Sequence, residues 1–313
     1  MSSISLVVIG LNDEDKLRFI YTSAYMNQIR GLFSELIYVD SRSKDNSIQF
    51  MNAIGFKSFK LSQDSVKSAS AGRRVGALES QSDFVLFLDS DMQLDLDFEL
   101  DELVGCVRAS RNFIGAVGDV IDVYPDGGSR TRLRRAVNKS SAASFGGFVV
   151  FERKALIAIG NWNPSVPANE ELELHSRIKS FDKDVMYTKL IKVNHYTVVT
   201  SPVNELLSVY LPLRKGRYGA YGFAIRGAHN AGVLIDLLKL APEPIYFLLL
   251  LIGSLVSYTL DFKVVILVLL ILYLYLVLQR RSLIYLSVIP GIAISLCFGL
   301  FKYKQKPVKY ESC

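Results

Sequence analysis

Three cysteines, three histidines and a single tryptophan in 313 residues rule out several chemistries at the start. Cys106, Cys297 and Cys313 are too far apart for the ligand spacing of a zinc site and too few for a disulfide framework. The opening Met1-Ser-Ser-Ile-Ser has no basic stretch ahead of an apolar run. No signal peptide is read there, and the amino-terminal part is expected in the cytoplasm. Internal repeats and low-complexity segments are also lacking. Charge of one sign is scarce: the formal net charge is +6. Its densest points are Arg130, Arg132, Arg134, Arg135 and Lys139, then Arg214, Lys215 and Arg217. Basic clusters suit nucleic acid in general. Next to a membrane segment they suit a diphosphate or anionic lipid headgroups better, so no nucleic-acid partner is expected. A solvated loop is the plain alternative.

Apolar side chains are plentiful and unevenly spread. Hydrophobic residues make up 50% of the chain. Up to about residue 241 they alternate with charge as in a folded domain, and from 244 to 301 they run almost unbroken. That stretch divides into 245–260, 262–278 and 283–301. At about 1.5 Å per residue, each can just cross a thinnish hydrocarbon core of about 30 Å. Asp261 and Lys263 separate the first two, as in a tight helical hairpin. Arg280 and Arg281 precede the third and are expected on the cytoplasmic side. Two crossings follow from this. The third run contains Pro290-Gly291 and leads into Lys302, Lys304, Lys306 and Lys309, so it is left open between a crossing and a re-entrant segment. The expected organisation is a catalytic domain at 1–205, juxtamembrane helices at 206–243, a transmembrane region at 244–301 and a basic tail at 302–313.

The first half alternates strand and helix patterns. Residues 4–9, 36–39 and 84–88 are short apolar runs ending in Gly10, Asp40 and Asp89, and read as buried strands. Residues 13–29, 47–54 and 69–80 have helical spacing, with Asn46 or Asp45 as a cap for the second. Such alternation predicts an α/β fold with a mostly parallel, Rossmann-like sheet. Ligands in open α/β sheets bind outside the carboxyl ends of the strands. The tips Gly10-Leu11-Asn12, 40–43 and Asp89-Ser90-Asp91 are therefore expected to converge. Further on, 115–124, the run after Gly146-Gly147, 154–160 and 170–180 read as strand, strand, helix and helix.

Two carboxylates one residue apart at a strand end can face one divalent ion. Mg2+ and Mn2+ prefer oxygen ligands and commonly share them with substrate phosphates. Asp-x-Asp also occurs by chance in loops, and its place after an apolar strand raises its weight. Glu170 and Glu171 are paired carboxylates at a helix start. They suit a general base, or simply ordinary first-turn charge.

Several blocks then occur in order: Val7-Val-Ile-Gly-Leu-Asn-Asp-Glu, Ile37-Tyr-Val-Asp-Ser-Arg-Ser-Lys-Asp-Asn-Ser, Gly72-Arg-Arg-Val-Gly76, Phe87-Leu-Asp-Ser-Asp, Gly146-Gly147 before Phe151-Glu-Arg, Ile159-Gly-Asn-Trp, and Glu170-Glu171-Leu-Glu-Leu-His-Ser-Arg177. Together they resemble family 2 glycosyltransferases over roughly residues 4–200, in the membrane-anchored form that builds bacterial surface polysaccharide. The resemblance implies a GT-A fold and an inverting sugar transfer that depends on Mg2+ or Mn2+. The donor is a nucleotide sugar. The acceptor is a lipid-linked glycan, such as one on undecaprenyl diphosphate, at the cytoplasmic face of a multi-pass protein of the inner membrane.

By the same resemblance, Gly10, Leu11, Asn12, Asp40, Arg73, Asp89 and Ser90 would hold the donor. Asp40 would contact nucleobase and ribose. Asp91, Asp89 and His195 would hold the metal, and Glu171 would be the catalytic base, with Glu170 as substitute. Gly147, Trp162, Arg214 and Arg217 would lie on the diphosphate or acceptor side; packing is the plainer reading of Trp162. Arg74 stands where the family has asparagine, and Glu171 where it has aspartate. A polyprenyl-phosphate glycosyltransferase and a non-catalytic membrane scaffold are the competing readings. A homo-oligomer is neither required nor excluded.

Overall fold

The computed structural model describes residues 2–97, 100–131, 136–138, 141–142, 145–167, 169–197, 220–240, 245, 303 and 307–313. Its strands are β1 (Ile4–Gly10), β2 (Glu35–Asp40), β3 (Lys57–Leu61), β4 (Phe84–Asp89), β5 (Met92–Leu94), β6 (Phe113–Val123), β7 (Ser129–Thr131), β8 (Ala136–Asn138), β9 (Ser141–Ala142), β10 (Phe148–Glu152), β11 (Asp184–Tyr196) and β12 (Tyr310–Ser312). Its helices are α1 (Glu14–Ile20), α2 (Ser23–Leu32), α3 (Ser47–Ala53), α4 (Ala69–Glu79), α5 (Leu100–Ala109), α6 (Arg153–Ala158), α7 (Glu170–Ser180), α8 (Ala220–Asn230) and α9 (Leu234–Leu240).

The strands form one sheet in the order β12-β3-β2-β1-β4-β10-β6-β11-β9-β8, with β5 paired to β11 and β7 to β6. The ladder β3-β2-β1-β4 is parallel, and its strands are buried apolar runs because helices cover it. Helix α4 lies directly on β1. A Cβ added at Gly76 would stand 2.2 Å from a methyl of Val7, so this position requires a residue without a side chain.

The sheet is mixed, which corrects the mostly parallel expectation within an α/β, GT-A-like fold. Strand β10 runs antiparallel to both β4 and β6. The chain reverses at Gly146-Gly147, where the Asp89 amide donates to the Gly147 carbonyl at 2.9 Å, and then descends beside β4. An apolar run buried on both faces looks the same in either direction, so its pattern does not reveal its polarity.

Other boundaries also shifted. The single helix expected over 13–29 is two, because Thr22 interrupts it with extended backbone and caps α2 through its hydroxyl, which accepts from the Tyr25 amide. Strands β3 and β5 and helix α5 were not anticipated. Helices α8 and α9 pack on α7, burying Ala224, Ala228, Val233 and Leu237 with Val166. The described part of 206–243 therefore belongs to the folded body.

Among the described residues no helix is long and apolar enough to cross a membrane. The expected spans at 244–301 lie, except for Ile245, outside the described residues, as do Arg214 and Arg217. The tail does form structure: β12 adds antiparallel to the β3 edge, pairing Tyr310 with Leu61 and Ser312 with Phe59.

Candidate active site

The tips of β1, β2 and β4 are tied together by their own polar groups. The Asn12 amide donates to Ser43 Oγ at 2.8 Å, and the Lys44 amide donates to Asn12 Oδ1 at 2.8 Å. The Ser41 amide donates to the Gly10 carbonyl, and the Ser90 amide to the Ile9 carbonyl, both at 2.9 Å. Asp13 gathers two tips at once, because its Oδ2 accepts from the Leu11 amide and from Ser90 Oγ. Gly10, Leu11, Asn12 and Ser90 thus come together at the carboxyl ends of the strands, where α/β sheets bind ligands.

Asp40 builds this wall instead of lining it. It is 0% exposed, Oδ1 accepts from the Ser43 amide at 2.7 Å, and Oδ2 accepts from the Tyr38 hydroxyl at 3.3 Å. A buried carboxylate must be paired in this way. With both oxygens engaged in the turn, Asp40 holds the loop that faces a ligand, whereas direct nucleobase contact was expected of it.

Arg73, expected at the donor, is bound on both sides by protein carboxylates. Its side chain is 1% exposed, with Nη2 donating to Asp89 Oδ1 and Nη1 to Glu170 Oε1, each at 2.7 Å. Its Cζ lies 4.9 Å from the centre of the Trp162 ring, and Nε has no hydrogen-bond partner. Burial alone would favour the neutral guanidine. The carboxylates of Asp89 and Glu170 outweigh it and keep Arg73 firmly charged. Arg73 is thus a buried strut joining the end of β4 to the start of α7. Trp162 is fully buried, set edge-on to Phe87, Phe145 and Phe151, so it packs the core and does not line an acceptor pocket.

The strut separates the two glutamates. Glu170 is buried and committed to Arg73. Glu171 turns toward the double glycine: a Cβ at Gly146 would stand 3.5 Å from its carboxylate. Gly147 sits between that carboxylate and the β4 tip. Its φ is +86°, and a Cβ there would meet Met92 Cε at 2.3 Å and Asp89 Oδ2 at 3.2 Å. Only glycine satisfies both the backbone and the space. One oxygen of Asp89 is spent on Arg73, and the other lies beside Gly147.

Asp91 and His195 meet across the β5–β11 pairing, with His195 Nε2 3.6 Å from Asp91 Oδ2. The other ring nitrogen, Nδ1, is held by Asp122 Oδ1 at 2.7 Å. Lys16 Nζ stands 3.5 Å from Asp91 and 3.1 Å from Asp13. Burial would raise the Asp91 carboxyl, but His195 and Lys16 overcome this and hold it below its ordinary range.

An imidazole facing a carboxylate, its far nitrogen fixed by a second carboxylate, is the arrangement of a metal-binding histidine. Asp91 and His195 therefore fit a divalent cation whose remaining ligands come from phosphate and water. Among the described residues no group of three or more His, Cys, Asp or Glu side chains makes a complete cage. Asp89, expected as a third ligand, has its Oδ1 held by Arg73. Asp13, Lys16 and Asp122 were missed in the sequence. Asp13 stood within a quoted block, while Lys16 and Asp122 have no sequence signal apart from the fold that brings them in.

Arg74, at the asparagine position of the family block, donates to the carbonyls of Gly160 and Trp162. It borders a cavity of about 830 Å³ between α4, α7, α8 and the tail.

The model of glycosyl transferase family 2 matches residues 5–162, which is 158 of 313 residues. No curated protein matches the sequence. Similar solved structures include GalNAc-T7 with UDP, GalNAc and Mn2+ (TM-score 0.47, 14% identity, 78% of this chain and 57% of that one). They also include S. aureus TarS (0.46, 13%, 72% and 43%) and S. aureus TarS 1-349 in complex with UDP-GlcNAc (0.48, 12%, 95% and 90%). The chain spans 57% and 43% of the first two.

Proposed function

We propose a sugar-transfer function from one premise: the chain belongs to glycosyl transferase family 2. It moves a sugar from a nucleotide-sugar donor to a glycan hydroxyl with inversion at the anomeric carbon. The observation that carries this reading is the approach of Asp89 Oδ2 to Gly147 and of the Glu171 carboxylate to Gly146, and the reading puts the reaction in an opening between these two carboxylates.

The donor lies between the strand tips, with its diphosphate toward Asp91. Glu171 accepts the proton of the acceptor hydroxyl as that oxygen attacks the anomeric carbon and the bond to the diphosphate breaks. Glu170, neutralised by Arg73, positions the first turn of α7 so that its neighbour faces the opening. Asp91 and His195 would hold a divalent cation, Mg2+ or Mn2+, which would supply positive charge beside the leaving diphosphate. Asp122 fixes the His195 ring, and Asp89 Oδ2 is placed for the donor ribose.

The acceptor is lipid-linked and the protein is held at the cytoplasmic membrane face. Support for this part comes from the apolar run at 244–301, which would keep the opening at the bilayer surface.

Transfer by full-length protein in membranes, assayed with a panel of nucleotide sugars, tests the proposal. Asp91→Ala is expected to reduce transfer by roughly 100-fold or more, since even partners behind a metal ligand cost 10- to 100-fold. It should also abolish metal-dependent thermal stabilisation by the donor. Full transfer by this variant would contradict the site.

A further inference from the structure

Lys16 stands at the strand tips and has no part in the sugar transfer proposed above. It lies in the first turn of α1, and the packing of that helix sets its position. Leu17 and Ile20 of α1 are buried in the core. Phe19 sets its ring edge-on to Tyr196 of β11, with centroids 4.9 Å apart. The Tyr196 amide in turn donates to the Asp91 carbonyl at 2.9 Å. Helix α1 is thus fixed against the segment that carries Asp91, with Lys16 and Phe19 one turn apart on the same side of the helix.

The Lys16 ammonium is shared between two carboxylates. Nζ is 3.1 Å from Asp13 Oδ1 and 3.5 Å from Asp91 Oδ2. Asp13 is itself held in place, because its other oxygen accepts from the Leu11 amide and the Ser90 hydroxyl. Asp91 Oδ2 is the same oxygen that lies 3.6 Å from His195 Nε2. Among the described residues, no other lysine or arginine pairs with Asp13 or Asp91. The carboxylate oxygen that faces His195 therefore has a positive charge beside it. The lysine side chain is 39% exposed, so the ammonium has room to leave.

We propose that Lys16 is an internal competitor for the divalent cation at Asp91, and that it keeps metal affinity low until phosphate oxygens are present. This rests on the metal site proposed above. A cation on Asp91 Oδ2 has the ammonium as its neighbour, and like charges at this range repel strongly in a half-buried site. The metal gains from Asp91 only what remains after the ion pair with Lys16 is given up. Asp91 and His195 are also too few to complete a cage among the described residues. Phosphate oxygens change the balance twice: they add ligands to the metal, and they accept hydrogen bonds from the ammonium. The flexible stem of lysine lets the charge move from carboxylate to phosphate. Metal and donor are thereby bound together, with little metal held by the protein alone.

The test is Mn2+ binding by the purified full chain without nucleotide, read from the EPR signal of free Mn2+, with melting temperatures on the same samples. Lys16→Met is expected to bind Mn2+ about 3- to 5-fold more tightly than the parent, the scale of one partly exposed ion pair. Lys16→Arg keeps the charge and is expected to bind as the parent does. Unchanged or weaker binding by Lys16→Met would overturn the competition. So would a gain by Lys16→Arg equal to that of Lys16→Met, since the effect would then not be one of charge. Asp91→Ala is expected to lose the binding. Binding by Asp91→Ala equal to the parent's, or none by any of the chains, would instead sink the metal site and the role of Lys16 with it.

Discussion

Glu170 and Glu171 are neighbours in sequence, in the same helical turn, and the fold treats them in opposite ways. The first is drawn into the core by a buried arginine that also grips Asp89. The second is half-buried, with its carboxylate beside Gly146. The same division recurs at β4, where one oxygen of Asp89 is bound to the strut and the other lies beside Gly147. At these two positions Arg73 commits carboxylate oxygens to the architecture.

The largest effect on this division is expected from Arg73→Leu, which leaves the buried Glu170 and the half-buried Asp89 without their cation. Breaking one partner of a buried ion pair costs about 3–5 kcal/mol. Denaturant unfolding should show that loss, and donor binding should weaken because the β4 tip and α7 are no longer joined. An unchanged midpoint would mean that the strut is dispensable.

Gly147→Ala comes next. The positive φ and the approach to Met92 set a cost of about 1–3 kcal/mol, the range for strained backbone. Because the residue borders the opening, kcat should fall further than stability does. A variant with normal turnover would show that the opening has slack.

A smaller effect tests the far end of α7, away from the chemistry. His175 is buried with Nε2 2.7 Å from Asp184 Oδ1, and Lys179 donates to Oδ2 at 3.0 Å. Burial would raise the Asp184 carboxyl, but these partners and the Val185 amide bring it down to about 2. A depressed carboxyl stabilises the fold above the unfolded value near 3.9 and loses that contribution as pH falls toward 2. Asp184→Asn should cost at most about 2.6 kcal/mol at neutral pH. The gap to the parent should close between roughly pH 4 and pH 2. A gap independent of pH would show that the pair is not charged. Turnover should be unaffected, in contrast to the other end of the helix.

The comparison also explains what could be read in the sequence. Gly10–Asn12, Asp89-Ser90-Asp91 and the Glu170 helix start were legible because strand tips and helix caps are local patterns with fixed positions. The expectation for Asp40 came from its place at a strand tip, and only the fold shows that Tyr38 and Ser43 occupy both its oxygens. Likewise, Arg73 and Arg74 are adjacent and alike as letters. Their helical angle on α4 sends one into the core and the other to the carbonyls beside Trp162. The direction of β10 was hidden because an apolar strand has no polarity mark. The return of β12 to β3 is a pairing across some 250 residues, which no local pattern announces.

The most direct measurement compares Glu171→Gln with Glu170→Gln for turnover, donor affinity and melting temperature on the same preparations. Glu171→Gln is expected to keep its melting temperature and donor affinity while kcat falls by about 100- to 10,000-fold, the usual contribution of a positioned base. Glu170→Gln is expected to lower the melting temperature, since it weakens the bond to Arg73. Normal turnover by Glu171→Gln, or a loss of turnover confined to Glu170→Gln at unchanged stability, would contradict the assignment of the two carboxylates.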